Sequence, residues 1–375
     1  MLFGSFHTKS VFAHSATLIY AEIILSDMAD VWFAPIPKNN AETAKTISRL
    51  YEEARLGEIM KGYTAVKLHF GEMGNETYLG PEYAKAVVAM LKSGGASPYL
   101  ADCNTLYHRK RWNAVCHLET AHRHGFGIEN VGAPTVIADG LIGRDFYEVH
   151  VNLKHFFSVK IGQGFRDAES LFVLSHFKGH ENTGFGAALK NLGMGMASRG
   201  GKQMMHSVVK PELDAQKCIA CGICAKYCSA GAINVKKFAE IDRAKCVGCG
   251  ECVAFCPKHA LSVEWTDAEA LEERIVEFAY GALRQFGKNA AYLNVLSNIT
   301  KMCDCMPVKM EKVAKDIGIL ASRDPVAIDQ ACYDLVCERE GRDIFKELNN
   351  VDGTIQLKYA EKLGIGSRKY KVIEV

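Results

Sequence analysis

The chain has almost no net charge: its 375 residues carry 45 basic and 43 acidic side chains, a formal balance of +2. That balance supplies no field to draw in nucleic acid or an anionic membrane surface, and no basic stretch is interleaved with aromatics. An uninterrupted apolar run long enough to cross a bilayer is also missing. Val11–Leu25 comes nearest, with Lys9 ahead of it as in a secretory leader, but His14 and Glu22 break the run. Phosphate-binding fingerprints are lacking too. Gly184-Phe185-Gly186 stops short of a dinucleotide motif, and Lys190 is followed by Asn191 rather than by Ser or Thr. These gaps lead to the expectation of a cytoplasmic protein with no nucleic-acid or membrane partner. Its fold is expected to begin at Met28, with residues 1–27 an extension outside it.

What the chain does have is ordinary globular composition, 48% apolar and 23% charged, in a length that suits two domains or one large domain with an insert. Thr64–Phe70 alternates as a strand does, with Val66, Leu68 and Phe70 opposite Lys67 and His69. Pro81 opens a helix with Ala84, Val87, Val88 and Leu91 on one face, and Gly94-Gly95 stops it. Tyr99–Ala101 reads as a strand and Arg109–His124 as a helix; Thr135–Ala138 and Leu171–Leu174 read as further strands. After the middle of the chain the pattern resumes with a helix over Ala268–Phe286, strands at Ala291–Leu296 and Ile317–Leu320, and a helix capped by Asp324-Pro325. This alternation predicts an α/β fold: a mostly parallel sheet flanked by helices. Residues 28–210 and 264–375 are expected to form it together, interrupted by residues 211–263.

Cysteine is the abundant residue, with 14 copies. In a long chain, closely spaced cysteines point to metal more than to disulfides. Cys218, Cys221, Cys224 and Cys228 recur as Cys246, Cys249, Cys252 and Cys256, the last followed by Pro257. Three thiolates at three-residue steps let one tight loop serve three corners of a cubane, and the fourth comes from the other block. The expected ligand sets are therefore Cys218, Cys221, Cys224 and Cys256 for one 4Fe–4S cluster, and Cys246, Cys249, Cys252 and Cys228 for the other. Zinc is the rival, but its motifs are usually separated pairs. Ser229 stands where a proline usually follows the fourth cysteine, which restores a backbone N–H near that cluster. The segment 211–263 thus reads as a small α+β, ferredoxin-like module with two clusters.

Open parallel sheets bind ligands beyond the carboxyl ends of their strands. The residues expected there are Lys67, His69, Glu72 and Asn75, then Asp102, Cys103 and Asn104, and later Lys202 and His206. From the ends of the later strands, His176, Lys178, His180, Lys190, Asn191, Cys303, Asp304 and Cys305 are expected to converge on one cleft, with Lys67, His69 and His206 at its rim. Gly184, Gly186, Gly193 and Gly195 would let backbone approach a ligand. Each residue alone has a plainer reading: a histidine after a strand is commonly structural, and glycines mostly serve turns. Convergence of charge after several strands is what favours a site. Cys303 and Cys305 could both face one metal, redox-cycle with a partner, or be two buried small hydrophobes. Cys116 and Cys332 are expected in the core beside Trp112 and Leu335; Cys103 and Cys337 receive no role.

Ser175-His-Phe-Lys-Gly-His180, Gly184-Phe-Gly186, Lys190-Asn-Leu-Gly-Met-Gly195, Cys303-Asp-Cys305 and Ile317–Asp329 resemble the uncharacterised iron–sulfur-centre proteins of the domain-of-unknown-function family numbered three-six-two. The resemblance spans about residues 28–375. It implies a prokaryotic, often anaerobic, cytoplasmic protein with 4Fe–4S clusters, and no particular reaction. The resulting expectation is an iron–sulfur redox protein that relays electrons through two clusters to the strand-end site. It would work with a redox partner protein and a small-molecule substrate, and the cleft leaves room for a further metal or an anionic ligand. If it is an enzyme, it is an oxidoreductase. The competing expectation is a metal- or ligand-binding protein or redox sensor whose clusters are structural.

Overall fold

The computed structural model describes residues 28–107, 109–206, 211–228, 230–246, 251–262 and 268–375. Residues 1–27, Ser229 and Cys249, on which expectations were stated, lie outside the described residues. The strands of the central sheet are β1 (Ala29–Pro35), β2 (Tyr63–Lys67), β3 (Ser97–Asp102), β4 (Thr135–Ile137), β5 (Ser170–His176), β6 (Ala290–Leu296), β7 (Gly318–Ser322) and β8 (Tyr370–Glu374). Their order is β8-β1-β7-β6-β5-β2-β3-β4. Every pairing is parallel except those of β7, which runs opposite to both neighbours, β1 and β6. The fold is α/β, with a mostly parallel sheet flanked by helices.

Strand alternation builds a core on each face. In β5, Leu171 and Val173 join one apolar cluster while Phe172 and Leu174 join the other; β6 divides likewise, with Tyr292 opposite Leu293. Helices Asn40–Glu53 and Pro81–Ser93 cover one face through Ile47, Leu50, Val87 and Leu91. Helices Ala188–Met196, Ala268–Leu283 and Pro325–Glu340 cover the other through Leu192, Ile275 and Ile328. Both cores therefore mix residues from before and after the cysteine-dense segment. That segment has a small apolar cluster of its own, and its ends are joined by antiparallel pairing of Glu212–Leu213 with Leu261–Ser262.

Three local readings change. The helix expected from Arg109 begins at Ala114, because the Asn113 side chain accepts the N–H of Cys116 and caps it there. Its buried face is His117, Thr120 and Ala121, so Cys116 is half-buried and not core. The reversed direction of β7 was not visible in its alternation, which is the same for either direction. No helix among the described residues is long and apolar enough to cross a membrane.

Candidate functional site

A cavity of about 650 Å³ opens beyond the carboxyl ends of β2, β3 and β5, where Lys67, Asp102 and His176 line it. Lys178, His180, Lys190 and Asn191 line it as well, and Cys303 and Cys305 enter from the loop after β6. His69, Lys202 and His206 complete the polar wall. Of the eight residues expected to converge, Asp304 alone does not line the cavity and lies buried behind the wall; of the other strand-end residues, Glu72, Asn75 and Asn104 do not line it either.

Lys67 was expected at the rim, yet it is wholly buried and forms part of the floor. Its Nζ lies 3.1 Å from Asp102 and donates to Asn191 Oδ1 at 2.6 Å. Asn191 in turn donates to Leu174 O and Ser175 Oγ, both at 3.0 Å, fixing the start of helix Ala188–Met196 against the end of β5. Burial pulls the Lys67 ammonium below its ordinary pKa, with Asp102 opposing. Against its own burial, Asp102 is held well below the usual carboxylate range by Lys67 and His117.

The second buried charge cluster supports the dithiol. His176 Nδ1 lies 2.9 Å from Asp304 Oδ2, and Nε2 lies 2.7 Å from Ser297 O, so both ring nitrogens face acceptors. Lys178 Nζ is 3.5 Å from Asp304 and donates to His176 O at 2.9 Å. Against burial, His176 and Lys178 hold the Asp304 carboxyl well below its ordinary range. On either side of Asp304 the two thiols point the same way, with Cys303 Sγ 2.7 Å from Cys305 Sγ. Two small hydrophobes packed on opposite faces would not meet so. The hydrogen-bonded contact with Cys305 lowers the Cys303 pKa; burial opposes this, and Lys190 and Lys178 add to it. The same bond raises Cys305, which keeps its proton. Burial, then Lys190, His206 and Lys178, push His180 well below its usual value.

The glycines need a correction. A Cβ at Gly193 would come within 2.0 Å of Ile275 O, and one at Gly184 within 2.7 Å of Gly353, so both serve close packing of the chain on itself. Gly195 does border the cavity, where a Cβ would lie 2.6 Å from Lys67 Nζ. Arg111 and Tyr107 went unnoticed. The buried Arg111 guanidinium stands 3.3 Å from Glu72 and 3.7 Å from Asp102, and donates to Tyr107 Oη at 2.6 Å. Both follow β3, so the strand-end rule could have found them; Arg111 was hidden by reading Arg109–His124 as one helix, and Tyr107 stands just ahead of that span.

In the cysteine-dense segment, Cys218, Cys221 and Cys224 line one small pocket together with Cys256 and Pro257. Cys228 Sγ accepts the N–H of Ala232, and Cys256 Sγ that of Ala260, each at 3.2 Å: the same contact in both repeats. Among the described residues no group of three or more His, Cys, Asp and Glu side chains is gathered around a single-ion site. A cubane takes one thiolate at each iron corner, so its ligands stand farther apart than those of one ion. Four cysteines around one pocket suit that larger group in donor chemistry.

Helix Glu251–Ala254, which carries Cys252, bridges the two sites. Val253 and His259 line the same large cavity as Cys303 and Lys178. The seam is reinforced where Arg144 lies against the Tyr227 and Phe255 rings and Arg199 sits 5.2 Å from the Phe255 centroid.

The sequence matches the family described as a domain of unknown function, DUF362, over residues 64–334. Comparison with curated proteins gives no match. Among solved structures, the lactate racemase apoprotein from Thermoanaerobacterium thermosaccharolyticum is similar at 12% identity and a TM-score of 0.37, covering 70% of this chain and 50% of that one. A protein from Thermotoga maritima is similar at 12% identity and a TM-score of 0.41, covering 80% of this chain and 58% of that one. This chain thus spans about half the length of the first.

Proposed function

Since the chain belongs to the DUF362 family, whose description assigns no reaction, we propose its function from its own residues: an iron–sulfur redox protein that passes electrons to the strand-end cavity. The observation that carries this reading is the shared wall, with Val253 and His259 of the cysteine-dense segment lining the same cavity as Cys303, Lys178 and His180. Cys218, Cys221, Cys224 and Cys256 would hold one 4Fe–4S cluster, and Cys246, Cys249, Cys252 and Cys228 the other. Bound clusters supply one-electron transfer over a wide range of potentials.

The protein's own part is to bind and orient. Lys178, Lys190 and Lys202 give the cavity a cationic wall suited to an anionic substrate. The Asp304 carboxylate fixes His176 and Lys178, and so the loop that presents the two thiols. The working compartment is a reducing cytoplasm, with a soluble redox protein as partner.

Anaerobic dithionite titration followed by EPR tests the reading. Reversible reduction of both clusters is expected. If neither accepts an electron, and stripping iron only unfolds residues 211–263, the relay is wrong and the clusters are structural.

A further inference from the structure

We propose that Cys303 and Cys305 are a redox-active dithiol that reduces the disulfide bond of a small anionic molecule bound in the strand-end cavity. The thiol chemistry stands on local geometry; only its regeneration rests on the relay proposed above. The two sulfurs face each other at 2.7 Å across a single intervening residue, so they can close a ring without moving the sheet. The loop between them is fixed: Glu72 N donates to Asp304 O at 2.9 Å, and Arg109 donates to Cys305 O at 3.1 Å. Asp304 is buried, hydrogen-bonded to His176 and ion-paired with Lys178, which turns the flanking thiols together toward the cavity.

The pair is also asymmetric in the way exchange requires. Cys303 is the more acidic thiol, through its hydrogen-bonded contact with Cys305 and with Lys190 and Lys178 nearby. Cys305 retains its proton and waits as the resolving group. Lys190 lines the cavity and, among the described residues, has no carboxylate or hydrogen-bond partner. It is therefore available to an incoming anion. A cavity of about 650 Å³ suits a small molecule.

The chemistry balances. The Cys303 thiolate attacks one sulfur of R–S–S–R′; the S–S bond breaks, and R′S⁻ leaves and takes a proton from solvent. Cys305 then attacks Cys303 Sγ, its proton passing to RS⁻, so RSH departs and a Cys303–Cys305 disulfide remains. Two electrons from one-electron iron–sulfur donors and one proton restore the thiolate and thiol. The net change is R–S–S–R′ plus two electrons and two protons giving RSH and R′SH.

The test uses the full chain, purified anaerobically, without reductant, at about pH 6, where an ordinary thiol near pKa ~8.5 is almost wholly protonated. The probe is dithiobis(nitrobenzoate), an anionic disulfide. Wild type should release two thionitrobenzoates per chain in a phase ~10-fold or more faster than a free thiol at that pH, with peptide mapping placing the new disulfide at Cys303–Cys305. Cys305→Ser should stop at one equivalent, held as an adduct on Cys303; Cys303→Ser should lose the fast phase. Lys190→Met should narrow the preference for this probe over uncharged bis(2-hydroxyethyl) disulfide. A missing fast phase, or a disulfide elsewhere, overturns the dithiol; an unchanged preference in Lys190→Met overturns the anionic substrate. If the disulfide forms but dithionite-reduced clusters leave it closed, the relay fails while the dithiol stands.

Discussion

The sheet and the cysteine-dense segment differ in what can hold them. The sheet lies between two large apolar layers, with Phe172, Leu174, Leu293 and Val295 on one side and Leu171, Val173, Leu192 and Phe278 on the other. Among the described residues of 211–262 there is one small buried cluster, Cys224, Ala239, Cys252, Cys256, Ala260 and Leu261, half of it cysteine. So small an apolar cluster does not offset the conformational entropy of ordering its segment, and small modules of this kind rely on metal or cross-links. The contrast teaches that one chain can have two sources of stability: burial for the sheet and, on the function proposed above, ligation for the segment.

The largest expected effect separates them outright. Stripping iron with a chelator, or Cys224→Ser, should make residues 211–262 protease-sensitive while the sheet keeps its far-UV circular dichroism and its main thermal transition. Limited proteolysis with mass mapping checks this. Cleavage spread evenly through both regions would break the comparison, since the sheet would then depend on the clusters too.

Asp102→Asn should work in the opposite sense, weakening the sheet and sparing the clusters. Asp102 is buried against Lys67 at 3.1 Å, Arg111 at 3.7 Å and His117 at 3.6 Å. Removing its charge leaves the buried Lys67 without its counter-ion, Arg111 keeping Glu72, which costs about 3–5 kcal/mol. Urea unfolding should show that loss while iron content per folded chain stays constant.

How far the sequence foretold all this follows the same division. Short apolar runs at Leu171–Leu174 and Ala291–Leu296 marked strands that the structure extends by only a few residues, because buried strands leave a strong apolar signal. The polar residues after those strands were legible through the strand-end rule, and His176, Lys178, His180 and Cys303 do share one cavity. Depth was not legible: a lysine at the end of a strand reads alike whether it sits at the rim or, as Lys67 does, in the floor against a carboxylate. Nor was glycine's purpose. Gly193 looks like a ligand-binding glycine in Lys190-Asn-Leu-Gly, yet it exists for the approach of helix Ala268–Leu283, a partner some eighty residues away that no local pattern names. Arg111 was hidden by a helix boundary that only the Asn113 cap decides.

The smallest expected effect sharpens the comparison through pH. Glu272 is wholly buried in helix Ala268–Leu283. Its Oε2 accepts the N–H of Gln356 at 3.0 Å, while Oε1 has no partner. Burial, aided by Asp352 and Glu269, pushes its pKa up to about 9. The folded value lies above the unfolded one, so the neutral acid's contribution is complete below the ordinary carboxyl range near ~4.3 and is lost as pH rises toward 9. One such group contributes a slope approaching ~1.4 kcal/mol per pH unit, so wild type should lose on the order of 2 kcal/mol more than Glu272→Gln between pH ~6 and ~8. Gln keeps the acceptor for Gln356 and carries no charge, so the variant's urea midpoint should fall less over that range. Because Glu272 belongs to the sheet's cover and not to the cysteine-dense segment, the difference should appear only in the sheet's transition, and iron release should follow the same pH course in both proteins. Equal pH slopes for the two proteins would mean that Glu272 is ionised in the folded chain, and that the interior beside helix Ala268–Leu283 is wetter than its burial indicates.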